Sequence, residues 1–192
     1  DMIYFYRSKL LKYEKTVLRN WRIKMDAAKI VSKISKEHGI IKNVYFLACG
    51  GSLVDLYPGY YFVRAESAVM DAQWIPAREF ALTPPKKLGK DSLLIICSHS
   101  GKTKECLEAA KVGINAGAAV VTMTHAPGSP CDCEEWISVV YDWAPGVKEA
   151  QKPQGIVLGI LNELMKRRSR DIPFTVVLKK DLRKLMISLQ RQ

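Results

Sequence analysis

The sequence predicts a three-layer α/β sandwich built on a five-stranded, parallel, doubly wound sheet of order 2-1-3-4-5. Three observations lead there. Five short apolar runs, at 43–49, 68–74, 93–98, 118–124 and 137–141, have the length of buried strands. Helix-like stretches fall between them, and strands alternating with helices imply right-handed parallel crossovers. Two of the runs, Val44–Ala48 and Leu93–Cys97, end in the same way, in small hydroxyl and glycine residues followed by a helical pattern.

The elements follow in chain order. Residues 10–37 place Val17, Leu18, Trp21, Ile23, Ala27, Ile30, Val31 and Ile34 at amphipathic-helix spacing, with Gly39 as the stop. After the first strand, a helix is expected over 53–64. A short helix over 77–82 follows the second strand. The third strand leads into a helix over 102–116, punctuated by Gly113 and closed at Gly117. A short helix is expected over 126–135. Beyond the fifth strand, Ile156, Val157, Ile160, Leu161 and Leu164 share one face of a helix over 153–168, and a last helix is expected near 179–190. The domain reading is an N-terminal helical segment over 1–42, the sheet domain over 43–170 and a C-terminal helix or linker over 171–192.

Composition narrows the class. Hydrophobic content of 48% with 26% charged residues is that of a globular protein with a full core. No apolar stretch approaches the roughly 20 residues of a membrane span, and Asp1–Lys9 has no secretory pattern. A cytoplasmic location is expected, with no membrane partner. The net charge of +11 suggests a polyanion partner until its distribution is read. Segments 1–42 and 148–192 each carry eleven Lys/Arg against four Asp/Glu, whereas 43–147 carries eight against eleven. The positive charge thus flanks the glycine loops rather than surrounding them, and nucleic acid is not the expected ligand. Five cysteines are scattered through the chain. Cys131-Asp-Cys133 has no second pair to complete a metal site, so no metal or cofactor is expected.

The two loops carry the chemistry. In a 2-1-3-4-5 sheet, strands 1 and 3 are neighbours, and the loops after them open at the topological switch point. Those loops hold Gly50, Gly51 and Ser52 on one side and Ser98, His99, Ser100, Gly101 and Thr103 on the other. Glycines let backbone N–H groups approach a ligand, and helix N-termini favour an anion. Neither a Gly-x-x-x-x-Gly-Lys-Ser/Thr loop nor a Gly-x-Gly-x-x-Gly fingerprint is present. Each serine taken alone is as well explained by helix capping; the ensemble points to one bound phosphate.

Ala48-Cys49-Gly50-Gly51-Ser52 and Ser98-His99-Ser100-Gly101-Lys102-Thr103-Lys104-Glu105 resemble the two phosphate loops of sugar isomerase (SIS) domains. The isomerase half of glucosamine-6-phosphate synthase is similar in both. Arg78-Glu79-Phe80 ahead of Thr83-Pro84, together with Pro127-Gly128-Ser129-Pro130, resembles the N-terminal SIS domain of the fructoselysine-6-phosphate and fructosamine deglycase branch. The resemblance covers roughly residues 40–143. It implies a flavodoxin-like SIS fold and a sugar phosphate ligand, either fructosamine 6-phosphate or a hexose 6-phosphate. Ser52, Ser98, Ser100 and Thr103 would bind the phosphate, and His99 would contribute its backbone. The family's usual two SIS domains imply that a second one completes the chemistry, and a homo-oligomer is expected.

Ring opening and isomerisation need a base near the carbonyl and a proton shuttle at the ring oxygen. His125, following strand 4, and Glu149, in Gly146–Lys152, are the candidates. His38 reads as a surface residue, and Glu105 and Glu108 as first-turn partners of a helix dipole. The function expected is a phosphosugar-binding SIS domain of a deglycase or isomerase. The alternatives are a non-catalytic phosphosugar-sensing module and a single-domain aldose–ketose phosphate isomerase.

Overall fold

The computed structural model describes residues 21–171, with side chains over 27–168. The start of the predicted 10–37 helix and the helix expected near 179–190 lie outside the described residues. Helix α1 spans Trp21–His38. It ends at Gly39, whose φ of +71° is accessible to glycine and whose N–H returns to the Ser35 carbonyl at 3.1 Å. His38, the last residue of α1, lies 3.2 Å from the Gly117 carbonyl through its Nδ1.

The strands are β1 (Asn43–Ala48), β2 (Asp71–Pro76), β3 (Ser92–Cys97), β4 (Ala119–Thr124) and β5 (Ile137–Val140). They form one parallel sheet of order β2-β1-β3-β4-β5, as the sequence predicts. Every residue of β1, β3 and β4 is buried, while the edge strands β2 and β5 are only partly so. That burial explains why the central strands read as unbroken apolar runs.

Alternation along each strand then divides the core into two layers. Val44, Phe46, Leu93, Ile95, Val121 and Met123 face one side, packed on α1, on α2 (Gly51–Glu66) and on α5 (Pro153–Asp171). Tyr45, Leu47, Leu94, Ile96 and Val120 face the other, packed on α3 (Ala77–Leu82) and α4 (Lys104–Asn115). On α5, Val157, Ile160, Leu161 and Leu164 are buried in the first layer and Ile156 packs at its edge, matching the predicted face. No helix among the described residues is long and apolar enough to cross a membrane.

Two expectations are corrected. The second strand lies at Asp71–Pro76 rather than 68–74. Ser67 Oγ accepts the N–H groups of Val69 and Met70, at 3.3 and 2.9 Å, which holds 67–70 in a turn. The ladder starts only where the Asp71 N–H reaches the Lys42 carbonyl at 2.8 Å. The expected helix over 126–135 is instead a chain of turns. Pro127 and Pro130 lack the N–H that a helix needs, and Gly128 sits at φ +71°. The Asp132 carboxylate accepts the Gly128 N–H at 2.9 Å and the Ser138 hydroxyl. Those bonds hold its carboxyl below the usual range, the Ser138 bond most of all. The Cys131 carbonyl meanwhile accepts from Thr122 Oγ1 at 2.6 Å and from Trp136 Nε1 at 3.0 Å, so the segment is tied to β4.

Gly59 of α2 packs against Val157 and Leu161 of α5. A Cβ there would stand 2.3 Å from Val157 Cγ1 and 2.9 Å from Phe46 Cε1. Overpacking costs about 1–3 kcal/mol, against a helix-propensity gain for alanine of ~1 kcal/mol. Gly59→Ala is therefore expected to lower unfolding stability by about 1 kcal/mol, read from the urea midpoint at unchanged slope.

Candidate functional site

Parallel pairing of β1 with β3 sets Ala48 beside Cys97, the last residue of each strand. The two predicted loops therefore leave the sheet side by side. On the first, Gly50 takes φ +57° and ψ −133°, and the Leu53 N–H closes back on the Gly50 carbonyl at 3.0 Å. Ser52 lies in the first turn of α2, beside the end of the neighbouring strand β3. No N-cap side chain accepts from the first turn of α2. Its N–H groups carry the positive end of the helix dipole.

The second loop is a tight turn. Ser98 is buried, its N–H donates to the Met123 carbonyl at 2.9 Å, and its carbonyl accepts from the Gly101 N–H at 3.0 Å. Ser98 Oγ and Thr103 Oγ1 lie 2.8 Å apart, so Thr103 turns to Ser98 and does not cap α4. Ser100 is exposed, and its hydroxyl accepts the Lys102 N–H at 3.3 Å. Gly101 has φ +65°, and a Cβ on it would lie 1.9 Å from Ser129 Oγ and 2.7 Å from Thr124 Oγ1. Only glycine satisfies both demands. The Gly101 carbonyl accepts the Cys131 N–H at 3.0 Å, which anchors the loop to the turns after β4. Ser129 Oγ is buried there without a hydrogen-bond partner. Helix capping, the simpler account of these hydroxyls, does not describe Thr103.

Behind the loops stands a group that sequence reasoning reached only in part. His99 and His125 are stacked, with ring centroids 5.0 Å apart and planes at 16°. Tyr141 holds both: its Oη lies 3.0 Å from His99 Nδ1, and its carbonyl lies 3.1 Å from His125 Nδ1. The backbones are joined as well, since the His99 carbonyl accepts the His125 N–H at 3.2 Å and the Thr124 hydroxyl at 3.3 Å. Trp143 stands edge-on to His99 at 5.7 Å. His125 was a candidate from its place after β4. His99 was expected to contribute its backbone to the phosphate site, and its ring also proves to be an organised part of the crevice. Tyr141 and Trp143 went unmarked; their signal was position, polar aromatics just past the C-terminal end of β5, on the same side of the sheet as the two loops.

The acidic groups around this cluster are shifted by their surroundings. Burial raises the Tyr141 phenol, with the neighbouring Cys97 and Asp55 adding to the effect. Burial also pushes the Cys97 thiol up to about 12, against smaller opposing bonds from Tyr141 and Ser52. Asp55, in α2, accepts a hydrogen bond from Gln154 Nε2 at 2.5 Å. Burial raises its carboxyl, and the nearby His99 pulls it partly back. Glu149 is the other acid/base candidate read from the sequence. It belongs to a 3-10 turn over Glu149–Gln151 ahead of α5, where its carboxylate is 2.5 Å from Lys152 Nζ. Glu105 occupies the first turn of α4, and Glu108 pairs with Lys104 at 3.6 Å. Cys131 and Cys133 are free thiols, and no group of three or more metal-ligating side chains occurs among the described residues.

No protein-family model matches the chain. Over 121 residues it is 36% identical to the fructosamine deglycase FrlB of Bacillus subtilis strain 168, a match covering 63% of this chain and 37% of the deglycase. Over 113 residues it is 32% identical to the isomerizing glutamine–fructose-6-phosphate aminotransferase of Clostridium tetani, covering 58% of this chain and 18% of that enzyme. A Salmonella typhimurium structure assigned as a phosphosugar isomerase superposes with a TM-score of 0.71 at 33% identity, over 76% of this chain and 44% of that one. The chain thus spans less than half the length of each. It is a homologue of fructosamine deglycase and of the isomerizing aminotransferase, built on the SIS fold of the phosphosugar isomerases.

Proposed function

We propose that this chain binds a sugar phosphate in the crevice between the loops after β1 and β3, as the phosphosugar-handling domain of a fructosamine 6-phosphate deglycase or a related isomerase. The observation that carries the reading is the adjacency of two uncapped helix starts, each preceded by a glycine at positive φ, with the Ser98–Thr103 hydroxyl pair between strand and helix. A phosphate dianion there would accept from backbone N–H groups at Gly50–Ser52 and at His99, Ser100 and Thr103, since those of Ser98, Gly101 and Lys102 donate within the protein. It would also accept from the hydroxyls of Ser52, Ser98, Ser100 and Thr103, with both helix dipoles favouring its charge.

The sugar would extend from the phosphate toward His99, His125 and Trp143, with His125 as the acid/base group nearest the ring. Glu149 is retained as a second acid/base candidate, the one that would act on the carbons next to the carbonyl once Lys152 is displaced. The similarity to a longer deglycase supports a second domain, or a second copy of the chain, as the partner that completes the site. The cytoplasm is the compartment in which such a substrate would be met.

Calorimetric titration of the full chain with fructose 6-phosphate, glucosamine 6-phosphate and a fructosamine 6-phosphate tests the reading, followed by turnover assays of whatever binds. Binding of at least one is expected. Failure of all three would remove the phosphosugar site, and binding without turnover would favour a sensing module over a stand-alone enzyme. Ser100→Ala combined with Thr103→Ala is expected to weaken binding at least tenfold, since hydrogen bonds to a charged group contribute about 1.5–3 kcal/mol each. Gly101→Ala should do the same by displacing Ser129 and straining the turn, and circular dichroism would verify that the sheet is intact.

A further inference from the structure

Tyr141 bonds one histidine through its hydroxyl and the other through its carbonyl, and the two bonds impose different tautomers. A carbonyl only accepts, so neutral His125 must carry its proton on Nδ1 to meet Tyr141 O at 3.1 Å. Its Nε2 is then left with a free lone pair. For His99 the partner is a phenol, which could donate or accept. The Tyr141 side chain is buried, its phenol keeps its proton, and the groups it meets are His99 Nδ1 at 3.0 Å and the Cys97 sulfur at 4.0 Å. Imidazole nitrogen is a strong acceptor and sulfur a weak one. The Cys97 thiol, pushed up to about 12, also keeps its hydrogen and donates it to Tyr141 Oη. The phenol proton therefore goes to His99 Nδ1, and neutral His99 carries its own proton on Nε2.

We propose that the stacked histidines are a complementary pair for opening the sugar ring, His125 Nε2 acting as the base and His99 Nε2–H as the hydrogen-bond donor, with Tyr141 as the positioning residue that sets both tautomers. The proposal rests on the phosphosugar reading above. For a fructofuranose 6-phosphate, His125 Nε2 takes the proton of the anomeric hydroxyl. The bond between the anomeric carbon and the ring oxygen breaks as the carbonyl π bond forms, and the electron pair leaves with the ring oxygen. His99 Nε2–H stabilises that oxygen by hydrogen bonding until His125 returns its proton there, leaving an open-chain ketone and both imidazoles as they began. The rings are 5.0 Å apart and both histidines are exposed to the crevice, so one substrate can meet both. Neither residue needs a charge, and the device works only while both rings are neutral.

The tautomers are read directly from two-bond proton–nitrogen spectra of the full chain with 15N-labelled histidine, at a pH above the histidine range, with His38→Ala and His99→Ala used for assignment. His99 is expected as the Nε2–H form and His125 as the Nδ1–H form; the reverse for either overturns the proposal without any variant needing to fold. Tyr141→Phe should return His99 to a mixture of tautomers while His125, held by the backbone carbonyl, stays as it was. Exchange spectroscopy of the fructose 6-phosphate anomers then tests the chemistry. The protein at saturating sugar should accelerate exchange, and His99→Ala and His125→Ala should each reduce the acceleration by at least tenfold, in the range usual for acid–base groups. Binding without accelerated exchange, or exchange unchanged in His99→Ala, overturns this proposal and leaves the binding site standing. Absence of any sugar phosphate binding overturns both.

Discussion

The pairing of β1 with β3 is the constraint from which the rest of the site follows. Its register places Ala48 against Cys97, so the chain leaves the sheet twice at the same height and on the same edge. The intervening β2 is sent to the outside, which opens the crevice at the point where the winding reverses. The helices that follow the two loops pack on opposite faces of the sheet, α2 on one and α4 on the other. Their N-termini nevertheless converge on the crevice, because each begins where its strand ends. The core enforces this register. A slip of one residue in β3 would exchange Leu94 and Ile96 with Ile95 and Cys97 between two layers packed by different helices.

A second dependence runs through Tyr141. It lies just past β5, two strands from β3, yet its side chain reaches Cys97 and His99 and its carbonyl reaches His125. The Tyr141 N–H donates to the Thr124 carbonyl at 2.9 Å, so the residue continues the β4–β5 ladder past the end of the strand. The turns after β4 buttress the other side: Cys131 holds Gly101, and Asp132 holds Gly128 and Ser138. The prolines and glycine that deny this segment a helix thus give it a shape that supports the second loop. Fold and site share these contacts.

The central strands and the two loops were legible in the sequence because each is governed by local chemistry. Burial on both faces makes β1, β3 and β4 continuous apolar runs, and a turn that needs φ +65° against a neighbouring serine calls for Gly101. What escaped was set by contacts distant in sequence. Asp55 meets Gln154 from 99 residues away, and Tyr141 meets His99 from 42. Neither pair leaves a pattern in spacing or periodicity. The edge strand β2 was misplaced by three residues because its start is fixed by the Lys42 carbonyl and the Ser67 turn rather than by hydropathy. The helix expected over 126–135 is absent for a reason visible in Pro127-Gly128-Ser129-Pro130, whose two prolines lack the N–H groups a helix needs.

The central claim is that one phosphate is held by both loops at once. A crystal structure of the full chain with fructose 6-phosphate tests it most directly. The account predicts the phosphate between Gly50–Ser52 and Ser98–Thr103, within hydrogen-bond distance of backbone N–H groups from both segments, with the sugar turned toward His99 and His125. A phosphate bound by one loop alone, or at the opposite edge of the sheet beside Arg167 and Arg168, would contradict it.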